Sequence, residues 1–200
     1  MKNEDEYGFI AQFKNKTLSA VVSVMPSYPK TEISDVVVLY FADGTHLLIK
    51  SDYADVETPF HDFEDDSVLS ITQTKNHEPF CNIEELKLSS IQVDEKISLV
   101  DLIIDEVSLP NDKESTCSYL VGVLIKTPNH QFNIWKDLMT GFFLHADYHF
   151  GRTKGIYSPE DRWCVYDNAL HVKRIKFSVF DNNECIISDE IVKDTPSFRG

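Results

Sequence analysis

The stretch GFFLHADYHFG, residues 141–151, sets His145, Asp147 and His149 two residues apart. Imidazole and carboxylate are the side chains that hold divalent transition metals. On a strand all three share a face, but the Cα atoms of His145 and His149 are then about 13 Å apart, too far for one ion without a bend. On a helix the two histidines lie one turn apart, as in the i, i+4 pairs that hold zinc. A zinc protease needs glutamate directly after the first histidine, and Ala146 stands there. Leu138, Phe142, His145 and His149 would line one helical face, whereas Gly141 and the β-preferring aromatics favour a strand over 137–150. We read the motif as the polar face of a half-exposed strand, with no metal and no cofactor. The rival is a hydrolase-type enzyme, with or without a metal, built on His145, Asp147 and His149.

Other catalytic signatures are missing. The seven glycines never cluster into a phosphate-cradling loop, and no G-x-S-x-G elbow presents a serine. Cys81, Cys117, Cys164 and Cys185 form no C-x-x-C pair and read as reduced thiols. DDSVLS and NDKEST lack the ligand spacing of a calcium hand. The one basic cluster, HVKRIK (171–176), reads as a solvated strand face guarding a sheet edge.

A second concentration of chemistry lies at SDYADVETPFHDFEDD, residues 51–66. Asp52, Asp55, Glu57, Asp62, Glu64, Asp65 and Asp66 occur there with no Lys or Arg, interleaved with Tyr53, Phe60 and Phe63. Exposed rings are costly in a loop that only solubilises. Rings as anchors, with carboxylates steering a basic ligand, suit a recognition surface. The formal charge of −14 agrees, because it repels free nucleic acid and attracts basic proteins. The acidic N-terminus MKNEDEYGF is unlike a signal peptide, and no apolar run reaches membrane-span length, so a cytoplasmic, non-membrane protein is expected.

The elements that must carry these residues are mostly strands. Asp43-Gly44 between two apolar runs signals a hairpin with a type I′ turn, and TPNH (127–130) and DNNE (181–184) mark two more. In THLLIK, Leu47 and Ile49 face one way and His46, Leu48 and Lys50 the other. Phe132 and Ile134 point inward, as do Ile175, Phe177 and Val179. SPEDRW (158–163) reads as one or two helical turns started by Ser158 and Pro159.

The chain also resembles itself. KTLSAVVSV (16–24) aligns with KISLVDLII (96–104), pairing Leu18 with Ile97 and Val21 with Val100. Residues 35–52 align with 119–137, and LKLSSIQV (86–93) with LHVKRIKF (170–177). By the same alignment FHDFE (60–64) faces HADYH, so the histidine pair is not shared between the halves.

The sequence therefore predicts a mainly β protein of ten to twelve strands: two tandem sheet-forming repeats, 1–93 and 94–200, packed as one compact body. The function expected is a non-enzymatic acidic module that binds a basic protein through Asp52, Tyr53, Asp55, Glu57, Phe60, Asp62, Phe63, Glu64, Asp65 and Asp66. A bacterial immunity protein neutralising a basic toxin is one form of it. The remaining alternative is a structural or assembly subunit that pairs through strand edges.

Overall fold

Period-two patterning dictates strands, and strands dominate. The computed structural model describes residues 7–25, 33–34, 36–56, 64–74, 87–136, 144–147, 158–163 and 169–192. Twelve strands lie among them: β1 (Thr17–Met25), β2 (Ile33–Ser34), β3 (Val36–Phe41), β4 (His46–Val56), β5 (Glu64–Thr74), β6 (Lys87–Lys96), β7 (Leu99–Leu109), β8 (Asp112–Lys126), β9 (Gln131–Lys136), β10 (Leu144–Asp147), β11 (Leu170–Ser178) and β12 (Asn183–Val192). A 3₁₀ segment, Gly8–Phe13, precedes them, and a short helix, α1 (Pro159–Trp163), falls between β10 and β11 as Ser158-Pro159 predicts.

The strands form two open antiparallel sheets. The first runs β5-β4-β3-β1-β6 and the second β12-β11-β7-β8-β9-β10-β2. Five strands recur in the same order, β6-β1-β3-β4-β5 and β11-β7-β8-β9-β10. Each unit is a four-strand meander whose fifth strand returns beside the first, an extended Greek key. The repeat in the sequence is thus a repeat of topology. The second sheet adds β12 at one edge and β2, borrowed from the first half of the chain, at the other. β6, which contains the 93/94 division, belongs to the first sheet throughout.

The inner faces meet in one core. Leu39, Leu47 and Ile49 of the first sheet pack with Leu102, Ile104, Phe132, Ile134 and Phe177 of the second. The aligned residues Leu18, Ile97, Val21 and Val100 are all buried. Phe13 of the 3₁₀ segment closes one end, its ring centroid 4.5 Å from that of Phe41. The second sheet buries its outer face as well: Ile103, Val107, Tyr119, Val121 and Val172 pack under Trp163 of α1. Strands buried on both faces lose clean alternation, as DLII (101–104) does.

The turns carry one correction. A type I′ turn needs positive φ at both Asp43 and Gly44, but only Gly44 has it, at 80°. Gly44 N–H donates to Phe41 O, and Phe41 N–H donates to Thr45 O, both at 3.0 Å. This is the three-residue loop that ends in a left-handed glycine bulge. Asp43 decides the choice, because its Oδ1 accepts from Thr45 N (3.0 Å) and Thr45 Oγ1 (2.6 Å), holding the Asp as an Asx-type turn starter. In the DNNE turn, Asn182 does adopt φ 48°. No helix among the described residues is long and apolar enough to cross a membrane.

Candidate functional site

The described residues of the acidic segment, 51–56 and 64–66, lie in the last pairs of the β4–β5 ladder. That ladder pairs Asp52 with Val68, Tyr53 with Ser67, Ala54 with Asp66, Asp55 with Asp65 and Val56 with Glu64. Six of the ten residues expected to bind, Asp52, Tyr53, Asp55, Glu64, Asp65 and Asp66, are therefore brought together on two neighbouring strand ends. Glu57, Phe60, Asp62 and Phe63 lie outside the described residues.

The equivalent hairpin of the second unit shows what this stretch adds. Ile49 and Ile134 correspond in the repeat; Ile49 pairs with Ile71, and Ile134 with Ala146. Among the described residues the last pair of β9 and β10 is Lys136↔Leu144, which in this frame matches Ser51↔Leu69; residues 137–143 lie outside them. The first unit goes on for the five pairs named above. Seventeen residues separate Ser51 from Leu69 and seven separate Lys136 from Leu144, so the acidic stretch lengthens the first hairpin by ten residues. The alignment of FHDFE with HADYH is corrected by the same register: His145 occupies the sheet position of Ser70, because those extra residues displace β5 along the sequence.

The extension has no cationic neighbour in its ladder. Neither 51–56 nor 64–68 contains Lys or Arg, and each strand segment is the other's partner. The β3–β4 ladder stops at Val36↔Lys50, so beyond Lys50 the hairpin is two-stranded among the described residues. Among the described residues β5 is the sheet edge, whereas β10, its twin, is flanked by β2. A two-stranded ribbon is marginal in water, and like charges in directly opposed positions destabilise a ladder further. Asp55 opposite Asp65 is such a pair.

The acids of the second sheet are spent differently. Asp105 is fully buried and receives Arg174 Nε at 2.6 Å and Arg174 Nη2 at 2.8 Å, with Trp163 Nε1 donating to Oδ2 at 2.7 Å. Asp101, also buried, accepts from Ser178 Oγ at 2.6 Å and lies 3.8 Å from Lys176 Nζ. Lys173 Nζ donates to Glu106 at 2.9 Å. The run HVKRIK is therefore no solvated edge guard. β11 lies between β7 and β12, Arg174 is buried, and the cations answer the acids of β7.

Two further carboxylates hold turns. Lys16, at 2.7 Å, and the Thr45 hydroxyl keep the Asp43 carboxyl well below the usual carboxylate range. Glu95, at the end of β6, reaches to the β8–β9 turn. It accepts from Thr127 Oγ1 (2.5 Å), Asn129 Nδ2 (2.6 Å) and Asn129 N (3.1 Å), with His130 Nδ1 at 3.2 Å. The Thr127 hydroxyl foremost, and then the Asn129 amide, lower its pKa from 4.5 to about 2. One strand of the first sheet thereby clamps a turn of the second.

The remaining catalytic candidates are described only in part. β10 confirms a strand at Leu144–Asp147, with His145 paired to Trp135 on one side and Ile33 on the other. His149, Cys81 and Cys164 lie outside the described residues, and among those described no three His, Cys, Asp or Glu side chains cluster to hold a metal. A serine, a histidine and an aspartate do meet, unforeseen from the sequence: Ser108 Oγ lies 3.5 Å from His171 Nδ1, and His171 Nε2 is 2.5 Å from Asp189 Oδ1. The types are those of a nucleophilic triad, but Ser108 is only 3% exposed, so no substrate carbonyl reaches it. The chain of contacts ties β7, β11 and β12 together instead.

No family model, no curated protein and no solved structure matches this chain, so the hairpin extension and its ladder carry the functional reading by themselves.

Proposed function

We propose that the protein is a non-enzymatic acidic binding module whose extended β4–β5 hairpin engages a basic protein. One observation supports this above the others: five extra ladder pairs, present in one unit and lacking in the described part of its twin, carry Asp52, Asp55, Glu64, Asp65 and Asp66 without a cation in register. Such an extension concentrates negative charge at a sheet edge. A basic partner relieves that repulsion on binding and is steered to it from a distance. An immunity protein in the bacterial cytoplasm, covering the cleft of a basic toxin, is the concrete form of this role, by analogy of size and charge.

Affinity capture tests it. Tagged wild-type protein and the variant Asp55→Lys, Glu64→Lys, Asp65→Lys, Asp66→Lys are exposed to source-cell lysate at low and high salt, and retained proteins are identified by mass spectrometry. The expected result is a basic protein held by wild type alone and released by salt. Retention that survives the reversal overturns the proposal.

A further inference from the structure

The large hydrophobic side chains that stand exposed among the described residues all belong to one strand: Ile186 (56%), Ile187 (53%) and Ile191 (56%) of β12. β12 is also an edge, since β11 is its one partner among the described residues. Edge strands are ordinarily blunted by Lys, by Pro, or by being short. NECIISDEIV is ten residues long and has neither residue, its single irregularity being a bulge where Ile187 falls between the pairs Ile175↔Ile186 and Arg174↔Ser188. The register puts Ile186, Asp189 and Ile191 on one face, opposite Ile175, Lys173 and His171.

We infer that the open edge of β12 is a docking site for an extended, basic strand of another protein, which adds to the second sheet by β-augmentation. The backbone edge supplies the ladder, and the exposed Ile186, Ile187 and Ile191 beside it supply apolar contacts. Charge chooses the occupant. β12 carries Glu184, Asp189 and Glu190 and no base, on a chain of net charge −14, so a second copy would bring acid to acid. A strand alternating aliphatic residues with Lys or Arg places aliphatics beside Ile186 and Ile191 and a cation beside Asp189. This surface is separate from the β4–β5 extension, and the inference does not rest on it.

The probe is a ten-residue peptide alternating Val and Lys, with binding read by fluorescence anisotropy and by hydrogen exchange of the β12 amides. A peptide of the same charge alternating Pro and Lys, unable to form a ladder, controls for bulk attraction. The inference expects the Val–Lys peptide to bind at least tenfold more tightly than the Pro–Lys peptide and to slow exchange in β12. It expects Ile186→Thr, Ile187→Thr, Ile191→Thr, which keeps charge and strand propensity, to erase that preference. The variant Asp55→Lys, Asp65→Lys should keep it, so failure here and failure of the hairpin reading are told apart. Equal binding of both peptides overturns the inference. So does a wild-type dimer in sedimentation that the Thr variant dissolves, which would assign the edge to a second copy.

Discussion

The β4–β5 and β9–β10 hairpins occupy the same place in two copies of one topology, yet they differ in length, edge and charge. Among the described residues the ladder of the second runs to Lys136↔Leu144 and is flanked by β2, while that of the first continues through Asp55↔Asp65 to Val56↔Glu64 at a sheet edge, with ten more residues between the matching pairs. The β7 acids Asp101, Asp105 and Glu106 are matched by Ser178, Arg174, Trp163 and Lys173, whereas the ladder of the extension sets Asp55 opposite Asp65. Net charge alone therefore says little. What the β7 acids share is a donor or counter-charge supplied by a neighbouring element of the fold.

The sharpest way to break this contrast is to treat an acid of each kind alike. Asp105→Ala removes the buried carboxylate that Arg174 Nε and Nη2 donate to and should cost about 3–5 kcal/mol in urea unfolding. Asp105→Leu combined with Arg174→Met should recover part of that loss, because the desolvation of both charges disappears with them while Trp163 Nε1 still loses its Asp105 acceptor. If the single variant unfolds like wild type, the ion pair is not what holds β7 to β11.

The turns of the two hairpins give a smaller effect. Gly44→Ala meets open space but forces a side chain into φ +80°, and should cost about 1–2 kcal/mol. No residue of the β8–β9 turn has positive φ, so Asn129→Ala should act instead through the lost Glu95 contact. That contact is pH-dependent. The Glu95 carboxylate has a depressed pKa, so its stabilisation is complete above about pH 4.5 and is lost as the pH falls towards 2. Glu95→Gln should flatten the drop in thermal midpoint between pH 5 and pH 3; an undiminished drop assigns it to other carboxylates.

The smallest effect has the opposite sign. Asp65→Asn removes one of two directly opposed acids and should stabilise the protein by about 0.2–1 kcal/mol, measured in the same urea titration. A loss of stability would show that the extension relies on that charge.

Much of the architecture was legible because alternation and turn chemistry are local. The inward sets of THLLIK, QFNIW and KRIKFSVF, the 158–163 helix and the doubled strand order all follow from patterns a few residues long. The fate of HVKRIK was not legible, since whether a cation is solvated depends on which strand lies beside it. Once β7 is known to neighbour β11, DLIIDE against KRIKFS reads as complementary. The Asp43-Gly44 turn was placed but mistyped, because the Asp43–Thr45 and Asp43–Lys16 contacts select the loop. The acidic segment was visible in composition alone; that it is an addition to a repeated hairpin emerged only from the registers of both ladders.

The most direct test of that claim is to shorten the first hairpin to the length of the second. Deleting residues 52–56 and 64–68 keeps the Ser51↔Leu69 pair and removes the extension. Salt-sensitive retention of a basic protein from lysate is then compared between full-length and shortened chains. The account predicts retention by the full-length chain and none by the shortened one. Equal retention by both would contradict it.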